Sequence, residues 1–252
     1  MKIIVFLLSL FLLSHRAIGF TVLIDPGHGG HDDGAKAKQY KNKKWKVIKE
    51  KDIALALSKK IHYYLKKNNI NVYLTRSIDR AVSLEERAEL ADKIKADLFV
   101  SVHINSSEVT QPRGVETYYL DNHKDEVVKK IESIENKDLK GVELVINDIL
   151  TDLVIERTTK RSKLLAASIH GEILGKMGKK YKLKDRGIRP GLFYVLALTK
   201  RPGILLEVGF LSNPSELKKM LNSKFQDAYA RAVAKGMMKY ISKQKKITPS
   251  LL

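Results

Sequence analysis

The segment Leu98-Phe-Val-Ser-Val-His-Ile104 is apolar at every position except the serine and the histidine. A short apolar run of this kind predicts a strand with both faces buried, which is typical of a parallel sheet covered by helices. On both sides of it, strand patterns alternate with helical patterns, and this alternation indicates an α/β fold. We therefore predict a single α/β domain with a central, mostly parallel, twisted sheet flanked by helices.

The remaining elements extend outward from this strand. Further strands are predicted at 21–25, 72–75, 115–120, 193–198 and 203–210. Helices are predicted at 50–65, from a capping box at 83–86 to about residue 96, at 162–177 and at 224–242. In the first of these helices, isoleucine and leucine recur at every fourth position, which places them on one face.

Between residues 121 and 160 the alternation of strands and helices stops. Two helices, at 124–138 and 143–155, are predicted there instead of the next strand, because each carries an apolar side. The sequence contains no internal repeat and no linker rich in Gly, Pro or Ser. We therefore interpret 121–160 as a helical insertion in one catalytic domain at 20–252, which ends in a flexible basic tail at 243–252.

The first 19 residues differ from the rest of the chain. Lys2 precedes an almost wholly apolar run at 3–13, and the small residues Ala17 and Gly19 fit a cleavage site. This pattern predicts a signal peptide at 1–19 and an exported protein. A membrane anchor is the alternative, but the apolar run is shorter than the ~20 residues that a bilayer-spanning helix needs.

The composition limits the chemistry. The chain has no cysteine, which excludes thiol catalysis and cysteine-ligated zinc, so a metal would be held by histidine and carboxylate groups. The formal net charge is +19, and it falls to +17 without residues 1–19, which hold two basic residues and no acidic one. A basic protein suits nucleic acid, an anionic membrane or carboxylate-rich wall peptides. Export argues against nucleic acid, and a coding bias toward lysine would give the same scattered charge.

Two histidines occupy positions suited to metal binding. His28 follows the first predicted strand within Asp25-Pro-Gly-His-Gly-Gly30, whose glycines allow close approach to a cleft at the sheet edge. His103 lies near the end of the buried strand and needs a polar partner there. An exposed turn residue and a hydrogen-bonded core histidine are the respective alternatives.

Two glutamates complete the candidate set. Glu207 lies inside the apolar run Ile204-Leu-Leu-Glu-Val-Gly-Phe210, where a carboxylate requires a cationic or metal-bound neighbour or takes part in proton transfer. Glu50 opens the first predicted helix, and a glutamate in a first turn is common because it complements the helix dipole. By itself, Glu50 therefore indicates no function.

These residues lie in blocks that resemble the zinc-dependent N-acetylmuramoyl-L-alanine amidases, which cleave peptidoglycan. The blocks follow the family's order over nearly the whole of 20–252 and read Val22-Leu-Ile-Asp-Pro-Gly-His-Gly-Gly30, Glu50-Lys-Asp-Ile-Ala-Leu-Ala56, Leu74-Thr-Arg76, Ser83-Leu-Glu-Glu-Arg-Ala88, Ala96-Asp-Leu-Phe-Val-Ser-Val-His-Ile-Asn105, Gly114-Val-Glu-Thr-Tyr-Tyr119 and Pro202-Gly-Ile-Leu-Leu-Glu-Val-Gly-Phe-Leu-Ser-Asn213. The resemblance implies that His28, Glu50 and His103 bind Zn²⁺ and that Glu207 is the catalytic acid/base. It also implies hydrolysis of the amide bond between N-acetylmuramic acid and L-alanine. The other histidines match no ligand position and are interpreted as surface or structural residues: His15, His31, His62, His123 and His170.

The insertion at 121–160 resembles the regulatory segment of division-associated amidases of Gram-negative bacteria, in which a helix covers the cleft and a glutamate blocks the zinc. Ile134-Glu-Asn-Lys-Asp138 matches that element best, so the resemblance implies that Glu135 makes an autoinhibitory zinc contact. A LytM-domain activator would then draw the helix away. The resemblance further implies a periplasmic enzyme of wall remodelling and daughter-cell separation. A solvated amphipathic helix is the alternative for this segment.

Two other functions stay open at this point. A wall peptidase could use the same ligands to cut within the stem peptide, and a non-catalytic wall-binding module could share the fold, although a buried Glu207 argues against pure binding. We expect a monomer that binds peptidoglycan and no nucleic acid, with a loose electrostatic contact to anionic membrane. Relatives in the subgroup often carry a separate targeting domain, whereas the catalytic blocks here directly follow 1–19, which argues against septal targeting.

Overall fold

The structure is a computed structural model that describes residues 20–41, 43–136 and 142–247, without the side chains of 41, 142–150 and 245–247. The predicted signal peptide at 1–19 and the end of the predicted tail at 248–252 lie outside the described residues. Within the described ranges, no helix is long and apolar enough to cross a bilayer.

Strands and helices alternate along most of the described chain. The strands are β1 Thr21–Pro26, β2 Lys36–Lys41, β3 Lys44–Lys49, β4 Asn71–Leu74, β5 Leu98–Asn105, β6 Val115–Leu120, β7 Asp185–Gly191 and β8 Gly203–Phe210. The helices are α1 Glu50–Lys67, α2 Leu84–Lys93, α3 Glu126–Glu135, α4 Val142–Tyr181, α5 Tyr194–Thr199, α6 Pro214–Met220 and α7 Ser223–Ile247.

Six strands form the central sheet in the order β4-β1-β5-β8-β6-β7. Neighbouring strands pair in parallel except for β6 and β8, which are antiparallel. Every residue of β5, the strand that the apolar run predicted, is buried. The predicted fold, a mostly parallel sheet flanked by helices, is confirmed.

Helices cover both faces of this sheet. In β5, Val100 and Val102 belong to the apolar cluster formed with α1, α4 and α7, whereas Phe99 belongs to the cluster formed with α2 and α5. Side chains alternate between the faces of a strand, so Ser101 and His103 share the Phe99 face. The polar residues of β5 therefore point to the α2/α5 side of the sheet.

Several of the candidate residues meet at one edge of the sheet. Because β1, β5 and β8 are parallel, their carboxyl ends lie together at the edge where ligands bind in α/β sheets. His103 of β5 pairs with Glu207 of β8. The reversed strand β6 brings its second residue, Glu116, opposite Glu207 from the other side.

Some elements differ from the sequence prediction. Residues 193–198 were predicted as a strand but lie almost entirely within the short helix α5. A short apolar run suits either structure. In the helix, four of the side chains are buried. The β2–β3 hairpin was not predicted because its lysine-rich sequence has no apolar period. Strand β7 was missed for a similar reason, since Asp185-Arg-Gly-Ile-Arg-Pro-Gly191 reads as a loop.

The region of the predicted insertion consists of α3 and the first half of α4. The predicted helix at 124–138 corresponds to α3, although 137–138 lie outside the described residues. The helices predicted at 143–155 and 162–177 are one continuous helix of 40 residues. No glycine or proline lies between them to end it. Helix α7 likewise extends past its predicted end at 242 to Ile247.

Candidate active site

The loop after β1 presents His28. The Gly27 N–H donates to the Val102 carbonyl at 3.0 Å, which ties the loop to β5. A Cβ on Gly27 would lie 2.4 Å from the His103 ring, so only glycine lets the two chains approach this closely. His28 itself has a φ of 58°, an uncommon conformation for a residue with a side chain. The loop is therefore shaped to bring the His28 ring toward that of His103, with ring centroids 4.9 Å apart.

Glu50 is fixed at the first position of α1 by backbone groups. Its Oε2 accepts a hydrogen bond from Ala35 N–H and its Oε1 accepts one from Ile104 N–H, each at 2.8 Å. The same Oε1 lies 3.1 Å from His28 Nε2 and 3.3 Å from His103 Nδ1. The carboxylate is thus held between the two imidazoles.

These residues form a cluster that could hold a metal ion. One ligand atom each from His28, Glu50, His103 and Glu135 lies within 4.8 Å of all the others. His28 Nε2 and His103 Nδ1 are buried and make no hydrogen bond of acceptable geometry, and buried polar atoms normally have a partner. Two imidazole nitrogens and a carboxylate form a ligand set that suits Zn²⁺. The donor atoms present therefore fit such a metal.

The electrostatics of the cluster favour positive charge. Burial lowers the pKa of His28, but the Glu50 carboxylate and the hydrogen bond to Asp32 outweigh it and raise this pKa to about 10. Burial also opposes protonation of His103, while Glu135 and Glu50 raise its pKa to about 10. The same carboxylates would stabilise a bound cation.

Further residues orient the two histidines from behind. His28 Nδ1 lies 2.7 Å from Asp32 Oδ2, and His103 Nε2 lies 3.1 Å from Ser101 Oγ. Ser101 in turn donates to Asp25 at 2.7 Å. Such partners fix the tautomer and orientation of metal-binding histidines. The sequence prediction assigned no role to Asp25 or Asp32, although a carboxylate inside the apolar strand β1 is the same kind of signal that identified Glu207.

Glu207 lies beside this cluster with 1% of its surface exposed, and its Oε2 has no hydrogen-bond partner. Burial, together with the Glu135, Glu50 and Glu116 carboxylates, raises its pKa well above the usual range. Glu116 differs from Glu207 because it is neutralised: its carboxylate accepts hydrogen bonds from Arg186 at 2.7 Å and Asn105 at 2.9 Å. Glu207 is therefore the carboxyl group in this pair with a free oxygen and a raised proton affinity.

Helix α3 covers the cluster and ends in Glu135. The Glu135 carboxylate lies 2.9 Å from His103 Nδ1 and 3.7 Å from His28 Nε2. The helix is attached by Glu132, which accepts hydrogen bonds from Leu192 N–H and pairs with His123 at 2.6 Å. The structure thus brings all five candidate residues of the sequence prediction into one neighbourhood.

The remaining histidines lie outside the cluster. His170 is buried and contacts Thr117 and Asp185. His123 pairs with Glu132 of α3. Both histidines therefore have structural contacts. His31 is exposed and lines the cleft beside His28. His62 is partly buried on α1, and His15 lies outside the described residues.

A cleft of about 350 Å³ opens onto His28, His103 and Glu135. Its far wall is the segment 81–87 at the start of α2, and Val195 of α5 contributes an apolar side chain. The cleft connects the cluster to solvent, and Glu135 of α3 forms part of its lining.

Comparison with known proteins identifies the family. A family model described as N-acetylmuramoyl-L-alanine amidase matches residues 22–239. The chain belongs to this family. It is 30% identical to the amidase AmiA of Escherichia coli over 228 residues, which cover 87% of this chain and 75% of AmiA.

Other relatives of this amidase agree. It is 28% identical to the amidase LytC of Bacillus subtilis over 90% of this chain, but spans only 37% of the length of LytC. The crystal structure of an N-acetylmuramoyl-L-alanine amidase from Clostridium difficile 630 matches with a TM-score of 0.68 and 31% identity, covering 90% of this chain and 98% of that chain. The predicted enzyme class, an amidase that acts on peptidoglycan, is confirmed.

Proposed function

We propose that this amidase is a zinc enzyme, exported by a cleaved signal peptide at 1–19 to the periplasm, and inactive until a partner opens its cleft. It would hydrolyse the amide bond between N-acetylmuramic acid and L-alanine during wall remodelling and daughter-cell separation. The observation that carries the proposal is the buried group of His28, Glu50 and His103, whose two imidazole nitrogens meet at the Glu50 carboxylate next to Glu207, the residue of β8 that pairs with His103.

In this proposal, His28 Nε2, Glu50 Oε1 and His103 Nδ1 would hold the zinc. Bound zinc lowers the pKa of water and polarises a carbonyl group. The chain contributes rigidity, because each ligand is restrained by Asp32, by backbone N–H groups or by Ser101. Rigid ligands keep the donor geometry fixed through the reaction.

Glu207 would move the protons. Its unpartnered Oε2 can accept a proton from the attacking water and then return one to the amine nitrogen of the departing L-alanine. The raised pKa suits a group that must hold a proton between the two transfers. Glu116 cannot replace it, because Arg186 and Asn105 already bind both of its oxygens.

Helix α3 would be the inhibitory element. In the present conformation the Glu135 carboxylate contacts both histidines and Glu207 is almost wholly buried, which argues that substrate cannot reach the reacting groups until α3 moves. Glu135 is the only residue of α3 among the groups that could hold the metal in the described chain. On this basis we propose that the amidase belongs to the division-associated subgroup.

The attachment of α3 supports a releasable helix. Val128 and Glu132 are its two buried side chains, and Val127 and Ile134 are about half exposed. Elements with few buried apolar contacts open at low free-energy cost. A LytM-domain activator that binds only the open form would shift the enzyme toward activity.

Release of stem peptide from purified peptidoglycan tests these roles. Glu135→Ala should raise the rate, whereas Glu126→Ala, an exposed glutamate on the same helix, should leave it unchanged. Glu207→Gln in the Glu135→Ala background should lower the rate by roughly 10²–10⁴-fold, the usual contribution of a general acid/base. Equal rates for wild type and Glu135→Ala would reject autoinhibition.

Mass spectrometry of the same digests tests the bond that is cut. An amidase leaves glycan strands without peptide, together with free stem peptides that begin with L-alanine. Shortened peptides that remain attached to muramic acid would instead identify a peptidase.

Removal of zinc by a chelator should abolish activity, and zinc should restore it.

A further inference from the structure

The β2–β3 hairpin stands outside the central sheet and carries an exposed aromatic pair. Tyr40 and Trp45 lie opposite each other in the antiparallel register, with ring centroids 5.2 Å apart. They are 61% and 69% exposed, and Val47, two residues along on the same face, is 49% exposed. Large apolar side chains grouped in this way often mark an interaction surface.

The hairpin is also the most basic part of the chain. Residues 36–49 include seven lysines and no acidic residue. Lys36 and Lys49, at the base, each lie 3.0 Å from Asp33. The remaining lysines with described side chains are exposed and have no carboxylate partner in the described part of the chain: Lys38, Lys43, Lys44 and Lys46. Uncompensated positive charge therefore surrounds the aromatic pair.

The base of the hairpin is fixed to the domain. Ile48 is 7% exposed, and Ala37 on the opposite strand packs against the same core. The Ala35 carbonyl accepts a hydrogen bond from Glu50 N–H at 2.9 Å. The aromatic pair and its lysines are thus presented on an anchored element.

We propose that this hairpin docks the enzyme on a bilayer rich in anionic phospholipid. Tyrosine and tryptophan favour the headgroup region of membranes, because they combine an apolar ring with a polar group. Lysines near an anionic surface each strengthen binding, and neighbouring ones act together. The hairpin carries both features: Lys38 shares the face of the aromatic pair, Lys43 lies at the turn, and Lys44 and Lys46 alternate to the opposite face.

The alternative occupant is a glycan strand of the wall. Its carboxylates lie only on the lactyl and peptide substituents of alternate sugars, whereas a bilayer rich in anionic phospholipid presents a continuous negative surface to the four unpaired lysines. The two rings are also tilted by 56°, and therefore do not form one flat platform for a sugar chain. The charge density favours the membrane.

Docking of this kind would leave the active site free. None of the described residues of the hairpin lines the cleft that opens onto His28 and His103. The surface and the catalytic cluster are therefore separate, and the proposal does not depend on zinc, on autoinhibition or on the bond that is cut.

Trp45 is the only tryptophan of the chain, so its fluorescence reports on this surface alone. We would titrate residues 20–252, which include the whole described fold and omit the apolar run at 3–13, with vesicles of phosphatidylglycerol and phosphatidylcholine. The emission should shift to the blue and become protected from acrylamide. Vesicles of phosphatidylcholine alone should give no such change, and high salt should weaken the binding.

Charge variants give the quantitative test by vesicle sedimentation. Replacing Lys38, Lys43, Lys44 and Lys46 by glutamine should weaken binding roughly five-fold per lysine, and so by more than a hundred-fold in total. The matched control replaces four exposed lysines elsewhere, Lys59, Lys66, Lys67 and Lys93, and should retain most of the affinity. Equal losses in the two variants would reject the hairpin as the docking site.

Soluble glycan strands are the second probe in the Trp45 fluorescence titration. A Trp45 shift with glycan but not with anionic vesicles would overturn the proposal in favour of a substrate contact. No shift with either probe would also overturn it.

Discussion

Asp25 is the polar centre beneath the histidine loop, and its replacement should strongly destabilise the fold. The carboxylate is fully buried and accepts hydrogen bonds from Thr75 Oγ1 at 2.6 Å, from Ser101 Oγ at 2.7 Å and from the Arg87 guanidinium. Arg87 also donates to the His28 carbonyl at 3.2 Å. One buried ion pair thus supports both the loop that carries His28 and the strand that carries His103.

The size of the stability loss follows from the buried positive charge of Arg87 that would remain unpaired. Asp25→Asn keeps the size of the side chain but leaves Arg87, 4% exposed, without its anionic partner. Removing one member of a buried pair typically costs about 3–5 kcal/mol. For a domain of this size, each kcal/mol lowers Tm by about 2–4 °C, so we expect a decrease of about 6–20 °C.

The effect should depend on pH in one direction. Burial raises the pKa of Asp25, but Arg87 and the hydroxyl donors outweigh it and hold this pKa below its usual value. A lowered folded-state pKa contributes stability that is complete above the unfolded-state value of about 3.9 and is lost as the pH falls through the folded-state value. The difference between wild type and Asp25→Asn should therefore be constant near pH 7 and begin to narrow below about pH 4.

Thermal and urea unfolding with a chelator present would measure this difference without a contribution from bound metal. The control is Asp92→Asn, which removes an exposed Asp92–Arg201 pair with a 2.6 Å contact and should cost at most about 1 kcal/mol. A loss for Asp25→Asn no larger than for Asp92→Asn would refute the reasoning. So would a difference that widens between pH 7 and pH 3.

Two further predictions concern metal affinity and helix packing. Asp32→Ala removes the partner of His28 and should weaken zinc binding by about 10–100-fold in a competition titration. Asp32→Asn can keep a hydrogen bond and should lose less affinity. Unchanged zinc affinity in both variants would contradict the orienting role of Asp32. Gly236→Ala would place a Cβ 2.5 Å from Ile169 Cα and should lower stability by about 1–3 kcal/mol in urea unfolding. At Gly171, where a Cβ would meet nothing within 4 Å, alanine should instead be neutral or stabilising, and equal destabilisation at both sites would argue against a packing cause.

The sequence predicted best where polarity conflicts with burial. His103 and Glu207 stand out because each interrupts an apolar strand, and a buried polar group needs a purpose or a partner. Asp25 interrupts β1 in the same way, so the argument could have been extended to it. Glu50 could not be distinguished by such reasoning, because its role depends on contacts with Ile104 and the two histidines that are distant in sequence.

The elements that the sequence analysis did not predict correctly have no local sequence pattern that identifies their secondary structure. The hairpin at 36–49 has too few apolar residues for a strand pattern, and only its pairing register creates the exposed aromatic face. The run at 193–198 is apolar throughout but has no period that separates helix from strand. Its helical form depends on packing against the sheet and on Lys200, which ends the helix with a φ of 52°.

The contacts that hold α3 also limit what kind of partner could open the cleft. Besides the Glu135 contacts and the partly buried Ile131, the described contacts of α3 include the buried Val128 and hydrogen bonds that join Glu132 and Asn136 to the backbone at 192–194. Exposing Val128 costs about 1.5–3 kcal/mol, and each of three hydrogen bonds exchanged with water adds about 0.5–1.5 kcal/mol. Opening therefore costs roughly 3–8 kcal/mol before the Glu135 contacts are included. Reversing a closed-to-open ratio of 99:1 requires about 5.5 kcal/mol of preferential binding. A diffuse electrostatic attraction is too weak for this, so the proposed activator would have to bind the open form through a specific interface of ordinary size.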